Sequence, residues 1–228
     1  YATDFFAASI DARDYFYLPK LYKKVKIIKN AIDVKKFKFN SIKRKEMRSK
    51  LALENYFVLG NVARLQYQKN QIFSLYILKH LKKNNKKVKL VFVGDGPDRE
   101  KLINKARELG IVNDVLFVGM KKNINEWLNC FDMFIFPSLF EGLGIALLEA
   151  EANGLPIVAS KDVIPAEVKL NSNFTFISLK SSPKIWSSII RDMKPSGRIP
   201  YNKVELNFKE KGWEIASAAN KLEELLIQ

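Results

Sequence analysis

The segment that decides the fold begins with the apolar run Met133-Phe-Ile-Phe136, which is followed by a glycine-rich loop at residues 137–144. A helix-length stretch, Ile145–Asn153, comes next, and the apolar run Pro156–Ala159 follows it. Strand, loop, helix and strand in this order predict a βαβ unit, whose two strands lie parallel in one sheet.

The same alternation continues outward from this unit, beginning at residue 56. The further predicted strands are Tyr56–Ala63, Val88–Val93 and Val115–Val118, and the further predicted helices are Gln71–Lys83, Asp98–Leu109 and Asn123–Asn129. Strands that are apolar at nearly every position indicate a parallel sheet with helices on both faces. We therefore expect an α/β fold with a doubly wound parallel sheet.

Shorter patterns flank this core. We expect strands over Tyr1–Ser9 and Val25–Ile28, a basic helix over Ser41–Leu51, and helices over Pro183–Asp192 and Trp213–Ile227. A loop containing Pro195, Gly197 and Pro200 should separate the last two helices. The final helix should pack against another element, because it carries this apolar stripe: Ile215, Ala219, Leu222 and Leu226.

Composition excludes several classes of protein. The chain has 228 residues, 47% of them apolar, so it can bury a large core and is not intrinsically disordered. No apolar stretch approaches the roughly 20 residues of a membrane-spanning helix. The single cysteine, Cys130, allows no disulfide within the chain, and the single histidine, His80, leaves little for metal clusters or catalytic triads. We expect both residues to be structural.

The strong positive charge leaves three interpretations open. Lys and Arg total 39 against 24 Asp and Glu, and the stretch Lys20–Lys50 is especially basic. This surface could be a solvated lysine face, a surface attracted to anionic lipid head groups or lipid-linked substrates, or a nucleic-acid surface. Most of the cations are lysines, and the aromatic residues do not alternate with them as a stacking platform requires, so we expect no nucleic-acid partner.

The first residue is Tyr1, and no charged and then apolar leader follows it. We interpret the chain as a piece of a longer cytoplasmic protein rather than a secreted one.

The glycines and charged residues that follow the predicted strands mark one edge of the sheet. Arg64 and Lys69 follow the first of these strands, Gly94-Asp-Gly-Pro97 the second, Gly119-Met-Lys121 the third, and Glu141-Gly-Leu-Gly144 the fourth. Ligands of open parallel sheets bind beyond the carboxyl ends of the strands. We therefore expect the functional site at this edge.

These residue types suit an anionic ligand that carries hydroxyl groups. Free backbone N–H groups at a helix start attract a phosphate or sugar oxygen, while a forked arginine and a lysine suit a diphosphate. Glu149 lies eight residues after Glu141, so both carboxylates can face one cleft at different depths and bind hydroxyl groups. Glu151, in contrast, should be exposed.

A structural explanation remains for each feature. The Gly94–Pro97 segment could be only a turn before a helix, Arg64 and Lys69 could be surface charges, and Glu149 could be an exposed helix residue.

Taken together, the motifs resemble a known family. They are Asn61–Asn70, Val93–Pro97, Val118-Gly119, Phe136–Ala150 and the segment Lys29–Asp33. The chain resembles the C-terminal donor-binding domain of retaining glycosyltransferase family 4, which has the GT-B fold and a Rossmann-like sheet. The nearest type is that of bacterial capsular and exopolysaccharide enzymes. Ala31 departs from the family's usual glycine, which puts the backbone conformation there in question.

The resemblance implies roles for individual residues. Arg64 and Lys69 would hold and stabilise the departing nucleotide diphosphate, and Glu141 would contact the transferred sugar; these three are the catalytic candidates. Glu149 would bind the ribose hydroxyls, and backbone near Met120 would meet the base. The donor-binding candidates are Glu149, Gly142, Leu143, Gly144, Ile145, Gly94, Gly96, Gly119 and Met120.

The resemblance also implies an activity: transfer of a sugar, with retention, from a nucleotide-diphosphate sugar such as a UDP-sugar to a polysaccharide or lipid-linked acceptor. No metal or other cofactor would be needed, and no Asp-x-Asp motif is present. Residues 1–20 would be a remnant of the N-terminal acceptor domain and residues 21–228 the donor domain, with a helix at about 212–228 crossing back to the missing domain.

Without its acceptor half, the chain alone would be inactive. Contact with the inner membrane face would be peripheral. The alternatives are a nucleotide-sugar epimerase of the same fold and a non-catalytic nucleotide- or polyanion-binding module.

Overall fold

The computed structural model describes residues 4–8, 10–84, 87–161, 163–193 and 197–227. The strands are β1 (Phe5–Ala7), β2 (Val25–Ile27), β3 (Phe57–Val62), β4 (Val88–Val93), β5 (Val115–Phe117), β6 (Met133–Phe136), β7 (Ile157–Ser160) and β8 (Phe174–Ile177). The helices are α1 (Ile10–Phe16), α2 (Val34–Phe37), α3 (Ser41–Lys50), α4 (Gln71–Asn84), α5 (Arg99–Glu108), α6 (Ile124–Cys130), α7 (Ile145–Ala152), α8 (Pro183–Met193), α9 (Tyr201–Glu210) and α10 (Ile215–Ile227).

The main sheet has six parallel strands in the order β5-β4-β3-β6-β7-β8. The central strand β3 pairs with β4 on one side and with β6 on the other, as in the pairs Leu59–Leu90 and Leu59–Met133. The strand order therefore reverses between β3 and β6, which makes this the topological switch point of a doubly wound sheet. The predicted fold class is confirmed.

Helices cover both faces of this sheet. Along β6, Met133 and Ile135 belong to one buried cluster, which also contains residues of α4, α5 and α8. Phe134 and Phe136 belong to the other buried cluster, with residues of α6, α7 and α9. Successive side chains of a strand point to opposite faces, so a strand that is covered on both faces must be apolar throughout.

A second, two-stranded sheet pairs β1 with β2 in parallel, and α10 lies beside it. Ile27 and Ile28 share a cavity of about 170 Å³ with Ala218, Leu222 and Leu225 of α10. Two strands by themselves are marginal in water, so the contact with α10 supports the small sheet.

The contact face of α10 differs from the predicted stripe. Leu222 lies in the contact as expected, but Ile215 is 49% exposed and Ala219 is also exposed. The side chain of Leu226 lies outside the described residues. Both sets of positions have helical spacing, and the position of β2 determines which set is buried.

Other elements differ from the prediction mainly by omission. The elements α1, α2, β8 and α9 were not predicted from the sequence. Helix α9 begins directly after the predicted loop and packs through Val204 and Phe208, both buried, into the core below α7. Residues 1–3 and 9 of the predicted first strand, and Pro195 of the predicted loop, lie outside the described residues.

Within the described ranges, no helix combines the length and the apolar character that crossing a membrane requires.

Candidate active site

The loops that follow β3 and β6 meet at the switch point and are joined by hydrogen bonds. The N–H of Leu139 donates to the backbone oxygen of Gln68 at 2.8 Å, and the Gln68 amide donates to the oxygen of Phe140 at 2.9 Å. The Asn70 amide donates to the oxygen of Pro137 at 3.0 Å. Gln68 and Asn70 thus hold the two candidate loops together, a role that the sequence analysis did not assign.

An ion pair joins Lys69 and Glu141 across this junction. The Lys69 ammonium lies 2.7 Å from one carboxylate oxygen of Glu141 and 2.9 Å from the other. The two side chains are only 17% and 5% exposed, and the ammonium also lies 5.5 Å from the centre of the Phe136 ring. This shielding from water makes the pair stronger than an exposed one.

The start of α7 presents unused backbone donors beside this pair. Gly144 caps the helix in the left-handed conformation, with φ of 78°. Within the described part of the chain, no backbone oxygen accepts a hydrogen bond from the N–H groups of residues 142–145. Together with the positive end of the helix dipole, these groups form a favourable position for an anion.

A cleft of about 500 Å³ opens at the same carboxyl edge, between the loops that follow β3, β4 and β5. Arg64, Gly94, Asp95, Gly96 and Met120 line it. Arg64 is exposed, and its backbone oxygen accepts a hydrogen bond from the Gln71 amide at 2.9 Å. Among the described residues the Arg64 guanidinium has no ion-pair partner, so it is available to an anionic ligand.

The glycines of this cleft also have a structural role. A Cβ at Gly94 would lie 2.0 Å from the backbone oxygen of Ala63, and one at Gly96 would lie 2.3 Å from that of Leu65. The N–H of Gly94 donates to the oxygen of Gly119 at 2.9 Å, which ties the loop after β4 to the loop after β5. The Gly94–Pro97 segment is therefore a close-packed turn whose residues also line the cleft, and its role in ligand binding stays a prediction.

Gly119 adopts a left-handed conformation with φ of 73°, and a Cβ there would meet no neighbour. The next side chain, Met120, is 81% exposed at the rim of the cleft. Both residues lie at the edge of the sheet where the sequence places them.

Glu149 lies one turn into α7 and is half-buried. Burial raises the pKa of this carboxyl, and the positive charge of Lys36 opposes the shift. No hydrogen bond to its carboxylate is present within the described residues. Lys36 belongs to α2, whose first turn is capped by Asp33: the Asp33 carboxylate accepts from the N–H of Lys36 at 3.1 Å.

Asp33, at the end of the segment Lys29–Asp33, thus helps to position the Lys36 ammonium near Glu149, the second glutamate of the motif. This arrangement was not predicted from the sequence. The described residues other than glycine with positive φ are Ala52 and Asn70. Ala31 is not among them, so alanine replaces the usual glycine without backbone strain.

The prediction that Glu151 is exposed is wrong. Its side chain is buried, and its carboxyl oxygens accept hydrogen bonds from the N–H groups of Leu170, at 2.8 Å, and Asn171, at 3.3 Å. The pKa of Glu151 is raised to about 8, mainly by burial. Helix α7 is covered on nearly every side, which its alternation of alanine and leucine on all faces could have indicated.

The remaining candidates are structural or lie elsewhere. Cys130 is fully buried, and burial raises its pKa to about 11, so it is an unreactive core residue. His80 lies on α4, on a face of the sheet rather than at its carboxyl edge. Among the described residues, no group of three or more His, Cys, Asp or Glu side chains could hold a metal ion. The absence of a cofactor remains a prediction.

The structure therefore brings Lys69 and Glu141 into contact and places Arg64, Gly94, Gly96 and Met120 around one cleft. This arrangement offers cations, helix N–H groups and carboxylates to a ligand with a diphosphate and several hydroxyl groups.

Comparison with known proteins identifies the class. The family model described as Glycosyl transferases group 1 matches residues 43–187, which is more than half of the chain. The chain therefore belongs to this family of glycosyltransferases. Its fold is the Rossmann-like C-terminal half of a GT-B glycosyltransferase.

Individual relatives agree with this assignment. EpsF of Bacillus subtilis, which is named as a glycosyltransferase, is 34% identical over 177 residues, covering 77% of this chain and 46% of that protein. UDP-Gal:alpha-D-GlcNAc-diphosphoundecaprenol alpha-1,3-galactosyltransferase of Escherichia coli is 33% identical over 142 residues, covering 60% of this chain and 36% of that enzyme. The chain thus spans less than half the length of these relatives.

Among solved structures, Anabaena Alr3699/HepE in complex with UDP and glucose has a TM-score of 0.82 and 21% sequence identity. The match covers 100% of this chain and 64% of that one. At this level of identity the likeness shows the fold.

Proposed function

We propose that this chain is the donor half of a retaining glycosyltransferase, of the family 4 type, that uses a nucleotide-diphosphate sugar. The observation that carries this proposal is the shielded Lys69–Glu141 pair, which lies beside the free N–H groups of α7 and the Arg64 cleft. A UDP-sugar is the favoured donor, since the similar Anabaena structure contains UDP and glucose.

In this proposal, the diphosphate lies between Arg64, Lys69 and the start of α7. Arg64 has a guanidinium without an ion-pair partner in the described part of the chain, at the rim of the cleft, and Lys69 exchanges its carboxylate partner for phosphate oxygens. Charge-assisted hydrogen bonds of this kind are among the strongest that proteins make. Gly94, Gly96, Gly119 and Met120 line the nucleotide pocket.

The two motif carboxylates have separate roles. Glu141 is freed for the transferred sugar when Lys69 turns to the diphosphate, and Glu149, which has no other partner in the described residues, accepts hydrogen bonds from the ribose hydroxyls. Its half-buried position suits a group that binds hydroxyls in competition with water.

Catalysis then depends on electrostatic stabilisation of the departing diphosphate. Negative charge grows on the diphosphate as the sugar leaves, so fixed cations and helix N–H groups bind the transition state more strongly than the donor. Loss of one such contact should cost about 2.7–4 kcal/mol of barrier. Side-chain cations would act where a metal acts in other enzymes, and departure and attack on one face of the sugar would give retention.

The acceptor is proposed to be a polysaccharide or a lipid-linked sugar, in a cytoplasmic setting at the inner membrane face. The named Escherichia coli relative uses a diphosphoundecaprenol acceptor, which supports the lipid-linked class. We assign acceptor binding to the rest of the longer protein. Residues 1–20 would then be the end of the acceptor domain, and α10, which already contacts β2, would connect the two domains.

Calorimetry with UDP, GDP and ADP tests the proposal. UDP should bind in the micromolar to millimolar range and should bind at least tenfold more weakly to Arg64→Gln, which loses a hydrogen bond to a charged group. Lys203→Gln, on exposed α9, is the matched control and should bind UDP normally.

If heparin and UDP bind equally and Arg64→Gln affects neither, the chain is instead a polyanion-binding module. Isomerisation of a UDP-sugar in the absence of an acceptor would indicate the epimerase alternative.

A further inference from the structure

A second cleft lies between α4 and α8, away from the carboxyl edge of the sheet. His80 and Lys83 of α4 and Lys184, Ser187 and Arg191 of α8 line it, and its volume is about 330 Å³. Small-molecule sites have volumes of about 300–1,000 Å³, so this cleft can hold a small ligand.

The spacing of these residues explains why they meet. His80 and Lys83 are three residues apart on α4, and Lys184, Ser187 and Arg191 follow one another at three and four residues on α8. Residues at such intervals share one face of a helix, and the two faces lie opposite each other. Sequence alone could not show this, because about 100 residues separate the helices.

The walls of the cleft are fixed by the core. Trp186, next to Ser187, is fully buried, and its ring contacts that of Phe73 on α4 edge to face, with 5.4 Å between the ring centres. The indole N–H of Trp186 also donates to the backbone oxygen of Ser178 at 3.2 Å. The cationic side chains therefore project from a rigid pair of helices and not from loops.

The cleft is uniformly positive. No acidic side chain is among its described lining residues. Lys82 of α4, in contrast, is neutralised by Asp114 at 2.7 Å. The side chains of His80, Lys83 and Lys184 have no ion pair or hydrogen bond within the described residues, and the Arg191 guanidinium donates only to the hydroxyl of Ser188, at 3.2 Å.

The positive charge of the cleft affects the pKa of His80. Burial lowers the pKa of His80, and the positive charges of Lys83, Lys184 and Lys79 lower it further. The remaining charged groups on the adjoining elements are Lys82 of α4, Arg191 and Asp192 of α8 and the charged residues of α5. The latter are the Lys105–Glu108 ion pair, Arg99, Glu100, Lys101 and Arg107. A bound anion would offset the repulsion among these cations.

We propose that this cleft is a second binding site, specific for a phosphate group and independent of the nucleotide-sugar site. A forked arginine, two ammonium groups and an imidazole N–H supply several donors to a tetrahedral anion that has oxygens in several directions. No Phe, Tyr or Trp side chain is among the described lining residues, so apart from the His80 imidazole the cleft offers no ring for stacking nucleic-acid bases. The phosphate can belong to a soluble phosphorylated metabolite or to a phospholipid head group.

The single histidine gives a direct test. Because His80 is the only histidine among the 228 residues, its imidazole signals in ¹H–¹³C NMR spectra report on this cleft without ambiguity. Inorganic phosphate should shift these signals to saturation and raise the His80 pKa, when sodium chloride holds the ionic strength constant.

Variants separate this site from the donor site. The double variant Lys184→Gln/Arg191→Gln should weaken the phosphate response of His80 at least about tenfold, the loss expected for a hydrogen bond to a charged group. Arg64→Gln, in the donor cleft, and Lys203→Gln, on α9, should leave the response unchanged. Circular dichroism confirms that each variant is folded.

The source of the phosphate is resolved by two further probes. Glycerol 3-phosphate represents soluble ligands, and phosphatidylglycerol vesicles, compared with phosphatidylcholine vesicles, represent head groups. A response to either probe that depends on Lys184 and Arg191 supports the site and identifies the source. The proposal is overturned if His80 responds equally to phosphate and chloride, or if the double variant responds as the unmodified chain does.

Discussion

At the scale of single residues, three glutamates of one segment have three different environments. Glu141 is paired with Lys69, Glu149 is half-buried without a hydrogen-bond partner in the described residues, and Glu151 is buried against two backbone N–H groups. Burial raises the pKa of both Glu149 and Glu151. The position of each residue on α7 relative to its neighbours therefore decides what its carboxyl group can do.

Glu149→Gln tests the ribose contact. The carboxylate is the stronger hydrogen-bond acceptor, so the variant should bind UDP about 10- to 100-fold more weakly at pH 7. Because the pKa of Glu149 is raised, the unmodified chain should lose UDP affinity as pH falls through a range above that of an ordinary glutamate. Calorimetry at a series of pH values should show this loss, and the variant should show none of it.

Glu108→Gln, on the exposed face of α5, is the control and should keep the original pH profile. Identical profiles for Glu149→Gln and the unmodified chain would contradict the assigned role.

Glu151→Gln tests a pH effect on stability. In the folded chain Glu151 keeps its proton up to about pH 8, whereas the unfolded chain loses it near the ordinary glutamate pKa. The stabilisation that the protonated Glu151 carboxyl gives to the folded chain is thus complete at low pH. As pH rises, it declines by about 1.4 kcal/mol per pH unit, and it is lost near the pKa of Glu151 in the folded chain. Urea unfolding between pH 5 and 9 should show that the variant lacks this decline.

Glu46→Gln, at an exposed position on α3, should retain the decline. The interpretation fails if Glu151→Gln shows the same dependence on pH as the unmodified chain.

At the scale of elements, close contacts between loops and helix ends shape the site. Gly94 and Gly96 bring the loop after β4 against the backbone of the loop after β3. At the opposite, amino edge of the sheet, Arg44, Arg48 and Arg198 donate to backbone oxygens at the end of α6. These contacts satisfy carbonyl groups that a helix end leaves unpaired.

Gly96→Ala tests the contact between the loops. Its Cβ would lie 2.3 Å from the oxygen of Leu65, so the loops must separate, at a cost of about 1–3 kcal/mol. The free energy of unfolding, measured in urea, should fall by this amount. Gly142→Ala is the matched control, because a Cβ there meets no neighbour, and equal stabilities of the two variants would contradict the prediction.

Asp132→Asn tests the cluster at the end of α6. The Asp132 carboxylate pairs with Arg44 and Arg48 and accepts from the N–H of Val58 at 2.8 Å. Removing its charge leaves two partly buried guanidinium groups unpaired and should destabilise the chain by about 3 kcal/mol. Thermal unfolding should show a much larger loss than for Glu46→Gln, whose pair with Lys43 is exposed.

At the scale of the whole molecule, the chain contains two sheets that differ in how fully other elements cover them. The six-stranded sheet is covered on both faces, while β1 and β2 pack only against α1 and α10 among the described α-helices. Units with few buried contacts open more readily than the core. The two sheets should therefore unfold with different free energies.

Leu222→Ser tests this difference. The change removes an apolar side chain from the cavity between α10 and β2, so hydrogen exchange should accelerate in β2 and α10 and remain slow in β3, β4 and β6. Ile215→Ser, at a half-exposed position of the same helix, should change little. A uniform acceleration across both sheets would show that they unfold together.

Much of this architecture is visible in local patterns. Apolar runs such as Val88–Val93 and Met133–Phe136 predict their strands with the observed bounds, because strands buried on both faces are apolar throughout. The short strand β8 and helix α9 were missed because their patterns are weak and their burial depends on α7 and β7. The glycines and charges after the strands lie at the carboxyl edge, as the rule for parallel sheets predicts, and their role in a functional site stays a prediction.

The sequence by itself determined the order of strands and helices and the edge at which Arg64, Lys69 and Glu141 gather, because these follow from hydrophobic periodicity and from the rules of parallel sheets. Only the tertiary structure decided that Lys69 pairs with Glu141, 72 residues away, that Glu151 is buried, and that α4 and α8 form a cationic cleft. The physical reason is that a side chain's partners and its exposure to water are set by segments distant in sequence, whereas periodicity records only the local backbone.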